Sequence, residues 1–108
     1  MYPQYRKAAP GLGASVSVAA NAAALHTVCF LVEAVADYGV MPRVLEQFAK
    51  RNLLPHRIAA DVAPETGTLE INLQMPGLTL EEGEQIARGL RAIIGVTIVL
   101  TSTKERCY

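Results

Sequence analysis

The sequence lacks tryptophan, has two cysteines, and carries no net charge, because ten Lys and Arg residues balance ten Asp and Glu residues. Proteins that hold nucleic acid mainly through its phosphates need excess positive charge, so we expect no nucleic-acid partner. No apolar run approaches the roughly twenty residues that span a bilayer, so we expect no membrane segment. Two cysteines do not form the dense disulfide framework of small secreted domains, which favours a reducing, cytoplasmic location.

Few side chains offer chemistry. His26 and His56 could transfer protons, but no adjacent nucleophile or carboxylate completes a catalytic constellation around either of them. Cys29 and Cys107 lie far apart in the sequence, and the histidines do not have the spacing of metal ligands. We therefore expect no enzymatic activity, no catalytic residue, no metal site and no cofactor, and we interpret the cysteines as structural.

The composition indicates one small domain with flanking segments. Residues 1–22 are rich in Ala, Gly, Ser and Pro without sustained periodicity, which is typical of an N-terminal extension. A basic pair before apolar residues resembles a signal peptide, but glycine, proline and serine dilute the apolar run, so we expect no cleavage there. We predict a folded domain over residues 23–103 and a short C-terminal tail over residues 104–108.

Two amphipathic helices are predicted from apolar residues at helical spacing. The first covers about residues 40–51, and Asn52 suits a left-handed residue just past its end. Thr79 and Glu82 form a capping-box pattern at the start of the second, which Gly95 ends. The second helix is expected to bury a stripe that we list here: Leu80, Gly83, Ala87, Leu90 and Ile94, flanked by Ile86 and Ile93.

Four strands are predicted from alternating or continuous apolar residues. They cover about residues 24–36, 57–62, 69–75 and 96–102. Pro55 before the second strand suggests that this strand lies at a sheet edge. In the last strand, Ile98 and Leu100 are expected to point into the core.

The element order predicts an α+β fold, a ferredoxin-like βαββαβ sandwich. In it, a four-stranded antiparallel sheet carries two helices on one face and leaves the other face open. RNA binding on such a sheet needs exposed aromatic residues on the central strands, and Phe30 is better interpreted as core. The open face, apolar around Leu31 and Val99, could instead be covered by a partner protein.

The segment from Ala36 to Met41 joins the first strand to the first helix. A glycine at such a junction lets backbone approach a ligand closely, and amides of a first helical turn attract a carboxylate. Gly39 could equally serve only to make the turn. Local sequence leaves these two interpretations open.

The chain from Leu25 to Ser102 resembles an ACT domain, the small ligand-binding module of amino-acid metabolism. The resemblance is carried by the strand over residues 27–35, the turn Asp37-Tyr38-Gly39-Val40-Met41, the helix over residues 43–51 and the following strand entry. Among ACT domains, the sequence looks most like those of acetolactate synthase regulatory subunits. It departs from them at Tyr38, where the family usually has proline, and over residues 52–55, where those subunits commonly have Gly-Tyr-Asn-Ile.

This resemblance implies domains that associate side by side and bind amino acids at their interface. The site lies between the first strand-helix turn of one subunit and the second strand of its neighbour. By position, the implied ligand-binding residues are Ala36, Asp37, Tyr38, Gly39, Val40, Met41, Leu54, Pro55 and His56.

Two functions follow from these expectations. The first is a stand-alone regulatory module, a homodimer that binds a small metabolite, expected to be an amino acid, and acts allosterically. Asp37 would hold an ammonium group, amides around Gly39 and Val40 a carboxylate, and Tyr38 and His56 would line the pocket. The alternative is an interaction domain with a vestigial pocket, which pairs with itself or with a biosynthetic enzyme such as an acetolactate synthase catalytic subunit.

Overall fold

The computed structural model describes residues 24–104, so the predicted N-terminal extension and residues 105–108 of the predicted tail lie outside the described residues. Its elements follow the predicted βαββαβ order. They are β1 (His26–Val35), α1 (Val40–Ala49), β2 (Arg57–Ala63), β3 (Thr68–Leu78), α2 (Leu80–Arg91) and β4 (Val96–Thr103).

The strands form one four-stranded antiparallel sheet in the order β2-β3-β1-β4. Both helices pack on the same face of this sheet, and α1 also contacts α2. The ferredoxin-like sandwich is therefore confirmed. β2 and β4 are the edge strands, as Pro55 predicted for β2.

The core lies between this face of the sheet and the helices. Alternate side chains of β1 and β3 enter it, and Phe30 meets Phe48 of α1 edge to face, with ring centroids 5.4 Å apart. Phe30 is thus a core residue, as predicted. The largest fully buried side chains are Phe30, Phe48, Ile71, Leu73, Met75, Leu78, Ile86, Leu90, Val32, Val40 and Val44.

The start of α2 is held as its sequence predicts. Thr79 Oγ1 accepts a hydrogen bond from the Glu82 amide, and the Glu82 carboxylate accepts one from the Thr79 amide, both at 3.0 Å. The predicted apolar stripe is wrong at its ends, since Leu80 is exposed and Ile94 is 88% exposed. Helical spacing does not govern Ile94, because α2 ends at Arg91.

Two further expectations about the strands are wrong. β3 continues through Pro76 and Gly77 to Leu78, because the register with β1 shifts at this point and accommodates them. In β4, Val99 pairs with Val32 and is buried, whereas Ile98 and Leu100 lie on the open face of the sheet. Partners in register share a face, so the buried Val32 sets the orientation of β4.

The outer edge of β2 is not covered by the helices. Ile58 and Val62 pair with the buried residues Leu73 and Leu69, so they project on the helical side of the sheet. They are nevertheless 44% and 56% exposed. This leaves an apolar strip along an edge strand, a feature that isolated domains usually avoid.

Candidate ligand-binding site

The turn between β1 and α1 is closed by its own hydrogen bonds. The Ala36 amide donates to the Gly67 carbonyl at 2.9 Å, which ties the turn to the β2–β3 loop. The Gly39 amide donates to Asp37 Oδ2 at 3.3 Å, and the Val40 amide donates to the Asp37 carbonyl at 3.2 Å. The two amides that the sequence suggested for a ligand carboxylate are therefore already used.

Gly39 does not need glycine for its backbone conformation. Its φ of −82° and ψ of −9° are right-handed values that any residue adopts. A Cβ at this position would instead lie 2.9 Å from Nη1 and 3.4 Å from Cζ of Arg43. These atoms end a flexible, exposed side chain, which can move aside from a Cβ at little cost.

Beside the turn lies a groove of about 450 Å³, a size within the range of small-molecule sites. Its lining consists of Ala36, Asp37, Tyr38, Met41, Val62 and Leu69. Tyr38 is 99% exposed. Apart from the Asp37 carboxylate and the Tyr38 hydroxyl, the lining side chains are apolar, so the groove suits a ligand with an aliphatic part and a cationic group.

Four of the nine predicted residues line this groove. Gly39 lies in the same turn, whereas the side chain of Val40 is buried and would contact a Cβ at Gly95. The groove lining that sequence reasoning missed comes from the β2–β3 hairpin, where Val62 pairs with Leu69. The strand alternation and the edge position inferred from Pro55 together could have indicated that Val62 stays uncovered.

The other three predicted residues lie at the opposite end of β2. The His56 amide donates to the Gln74 carbonyl at 2.8 Å, whereas the groove adjoins Val62 near the last residues of the strand. At about 3.3 Å per residue, roughly 20 Å separates the two positions along one protomer. Pro55 is buried, and Leu54 and His56 are exposed. A single protomer therefore does not bring the two halves of the predicted site together.

The open face of the sheet carries a row of carboxylates. Glu70 of β3 lies directly opposite Asp61 of β2 on one side and Glu33 of β1 on the other. Within residues 24–104, no group of His, Cys, Asp or Glu side chains converges well enough to hold a metal ion. The row is therefore a concentration of negative charge rather than a metal centre.

Cys29 is buried on the same face of the sheet and is disulfide-bonded. This agrees with a structural role but not with a reducing compartment, where thiols normally stay reduced. The other cysteine, Cys107, lies outside the described residues. Among the helices of residues 24–104, none has the length and apolar character needed to cross a membrane.

Comparison with solved structures finds the same fold at low sequence identity. The crystal structure of the ACT domain from GTP pyrophosphokinase of Chlorobium tepidum is 14% identical, with a TM-score of 0.63, over 72% of this chain and 99% of that one. An uncharacterised protein from Thermotoga maritima is 14% identical, with a TM-score of 0.62, over 73% and 96%. The C-terminal domain of the MgtC protein from Mycobacterium tuberculosis is 15% identical, with a TM-score of 0.61, over 78% and 93%.

Sequence comparison assigns the family. No curated protein matches the chain. A family model described as an ACT-like domain matches residues 20–107, which include every element of the fold and the whole groove. That description names a domain and no enzyme, so the likeness to acetolactate synthase regulatory subunits stays a prediction. Because the family model matches most of the chain and the fold is that of a solved ACT domain, the chain belongs to the ACT-like domain family.

Proposed function

We propose that this chain is a non-catalytic regulatory module that forms a homodimer through β2 and binds a small amino acid at the subunit interface. ACT-like domains are commonly regulatory. The observation that carries the proposal is the groove between the β1–α1 turn and the uncovered edge of β2. It is open on the side where a neighbouring subunit would lie.

An antiparallel β2–β2 pair supports this arrangement geometrically. Two-fold symmetry places the first residue of one β2 beside the last residue of the other. Leu54, Pro55 and His56 of the partner subunit, which precede its β2, then lie beside Val62 and the groove. The pairing would also cover Ile58 and Val62, whose exposure on an edge strand the fold leaves without explanation.

The chemistry of the groove suits an amino acid with an aliphatic side chain. Met41, Val62 and Leu69 provide apolar surface, and the Asp37 carboxylate provides a counter-charge for an ammonium group. Binding at an interface would favour the assembled state over the free protomers. In this way a ligand would change the assembly on which a partner enzyme depends, and an acetolactate synthase catalytic subunit remains one such partner within the proposal.

A second candidate function is supported by the open face of the sheet. Leu31, Ile98 and Leu100 give that face an apolar area, and two of these side chains are about half exposed. A domain with an unused groove could pair with itself or with an enzyme through this area. Both candidate functions are compatible with the expected cytoplasmic location. The disulfide at Cys29 argues against that location, because thiols normally stay reduced in the cytoplasm.

Light scattering on a size-exclusion column, with a thermal-shift panel of the twenty amino acids, tests the proposal. We expect a dimer whose melting temperature rises saturably with at least one amino acid. Ile58→Lys should give monomers, and Leu80→Lys is the matched control because Leu80 is likewise an exposed aliphatic residue, on α2 and away from β2. A robust dimer that no amino acid stabilises and that Ile58→Lys leaves intact would favour the second candidate.

A further inference from the structure

The open face of the sheet is least exposed at Cys29. This residue lies on the inner strand β1, and its register partners Gln74 and Ser102 share the face opposite the helices with it. Cys29 is 6% exposed, whereas Leu31 on the same face is half-buried and Val35, near the other end of the strand, is 54% exposed. The helices do not cause this gradient, because they pack on the other face.

The sulfur of Cys29 is covalently bonded. Cys29 forms a disulfide, and residues 24–104 contain no free cysteine. The structure consists of one chain, so a bond to a second copy is not involved. The sequence contains one other cysteine, Cys107, which is therefore the partner available to Cys29.

The end of β4 lies where the chain could return to Cys29. Ser102 pairs with Cys29, β4 ends at Thr103, and Lys104 already leaves the strand. Cys107 follows Ser102 by five residues. An extended chain would carry Cys107 about 16 Å beyond Ser102, whereas the Cα atoms of a disulfide lie within about 7 Å of each other. The bond therefore requires the chain to turn back after β4, over the face on which Cys29 lies.

We propose that residues 105–108 occupy the open face beside Cys29, held there by a Cys29–Cys107 disulfide, and that reduction by a dithiol releases them. The exchange is balanced, since the dithiol supplies two electrons and two protons and itself becomes a disulfide, while Cys29 and Cys107 become thiols. The inference goes beyond the proposed function, because it does not depend on amino-acid binding in the groove.

The consequence concerns the apolar area of the open face. Leu31 and Leu100 pair directly with each other, two residues along their strands from Cys29 and Ser102. Two residues of a strand span about 7 Å, so a protein that covered Leu31 and Leu100 would collide with a chain segment bonded to Cys29. The open face is therefore available to a partner protein only after reduction.

Peptide mapping of the wild-type protein tests the bond. Trypsin cleaves after Lys and Arg, which places Cys29 in the peptide over residues 8–43 and Cys107 in the dipeptide Cys107-Tyr108. Digestion of denatured, alkylated and unreduced protein should yield these two peptides joined, and reduction should separate them. Two copies of the larger peptide joined to each other, or an alkylated Cys107, would overturn the proposal.

Hydroxyl-radical footprinting of the native protein tests the cover. Leu31 should be labelled more heavily in Cys107→Ser than in oxidised wild type. Val35 is the internal control, because it lies on the same strand and face but six residues from Cys29, about 20 Å away, and only Tyr108 follows Cys107. Its labelling should be equal in the two proteins.

A second comparison needs no substitution and applies even if Cys107→Ser does not fold. Wild-type protein that has been reduced with dithiothreitol and then freed of it should show the same gain at Leu31 and no gain at Val35. Equal labelling of Leu31 in oxidised and reduced wild type would overturn the cover. A gain of equal size at Leu31 and Val35 would also overturn it, because general loosening of the sheet would then be the cause.

Discussion

The carboxylate of Asp37 accepts a hydrogen bond from the amide of Gly39, at 3.3 Å. Asparagine at position 37 keeps an oxygen acceptor and loses the charge, whereas alanine loses both. We expect Asp37→Asn to leave the free energy of unfolding within about 0.5 kcal/mol of wild type, as for most surface changes, yet to weaken amino-acid binding as much as Asp37→Ala does. Urea denaturation and isothermal titration measure the two effects.

Glu46→Gln is a suitable control for that experiment, because Glu46 is an exposed acid on α1 outside the groove lining. Its amino-acid affinity should equal that of wild type. If Asp37→Asn bound as tightly as wild type, the carboxylate would not be holding an ammonium group.

The row formed by Asp61, Glu70 and Glu33 should reduce the stability of the sheet. Like charges directly opposite each other on neighbouring strands repel, and Glu70 takes part in two such pairs. We expect Glu70→Gln to raise the free energy of unfolding by about 0.5–1 kcal/mol at low salt. The gain should shrink in 1 M NaCl, where screening is nearly complete over the distance between strands.

Urea denaturation at low and high salt measures this effect, with Glu65→Gln as the control. Glu65 is exposed in the β2–β3 turn and has no cross-strand partner in the register. Equal gains from the two substitutions would show that general charge reduction, and not the row, is responsible.

Two glycines of α2 should respond to alanine in opposite directions. A Cβ on Gly83 would lie 3.3 Å from Cγ1 of Val28, so the buried helix–sheet contact must open. We expect Gly83→Ala to lower the free energy of unfolding by about 1–3 kcal/mol, the usual cost of overpacking, despite its better helix propensity.

The atoms nearest to a Cβ on Gly89 would be those of the flexible Gln47 side chain, whose Oε1 is buried without a hydrogen-bond partner among the described residues. Gly89→Ala should therefore move Oε1 towards water and gain up to about 1 kcal/mol from helix propensity. Chemical denaturation measures both variants. The loss of unfolding free energy caused by Gly83→Ala should be smaller in a Val28→Ala background than in wild type, because the shortened side chain leaves room for the new methyl group. Equal losses in the two glycine variants would contradict this account of the helix contacts.

The disulfide at Cys29 can be tested by alkylation and peptide mapping. Unfolded but unreduced protein should carry no label at Cys29, and reduction before alkylation should expose it. Reduction should also lower the melting temperature, because a disulfide reduces the conformational entropy of the unfolded chain. Full labelling of Cys29 without reduction would show that the bond does not form.

Local signals in the sequence predicted most of the fold because each acts over a few residues. The Thr79–Glu82 capping box and the left-handed Asn52, with φ of 61°, appear as expected. Local signals could not predict which face of β4 points into the core, because Ile98, Val99 and Leu100 are all apolar and show no alternation. Only pairing of Val99 with Val32 decides which of them is buried.

The site shows the same division between local and long-range information. The turn from Ala36 to Met41 was identified from its own residues and from the family resemblance. The opposite wall, formed by Val62 and Leu69, depends on strand pairing more than twenty residues along the chain, and the proximity of the Arg43 guanidinium to Gly39 depends on a side-chain conformation. Neither follows from local pattern.

The most direct test of the central claim is a tagged heterodimer that carries Asp37→Ala in one protomer and His56→Asp in the other. If the turn of one subunit and the strand entry of its partner form each site, one of the two sites per heterodimer keeps both wild-type halves. With the amino acid that gives the largest melting shift, titration should then show no binding to either variant homodimer and one molecule bound per heterodimer. A heterodimer that binds none, or a His56→Asp homodimer that binds as wild type does, would contradict a site shared between subunits.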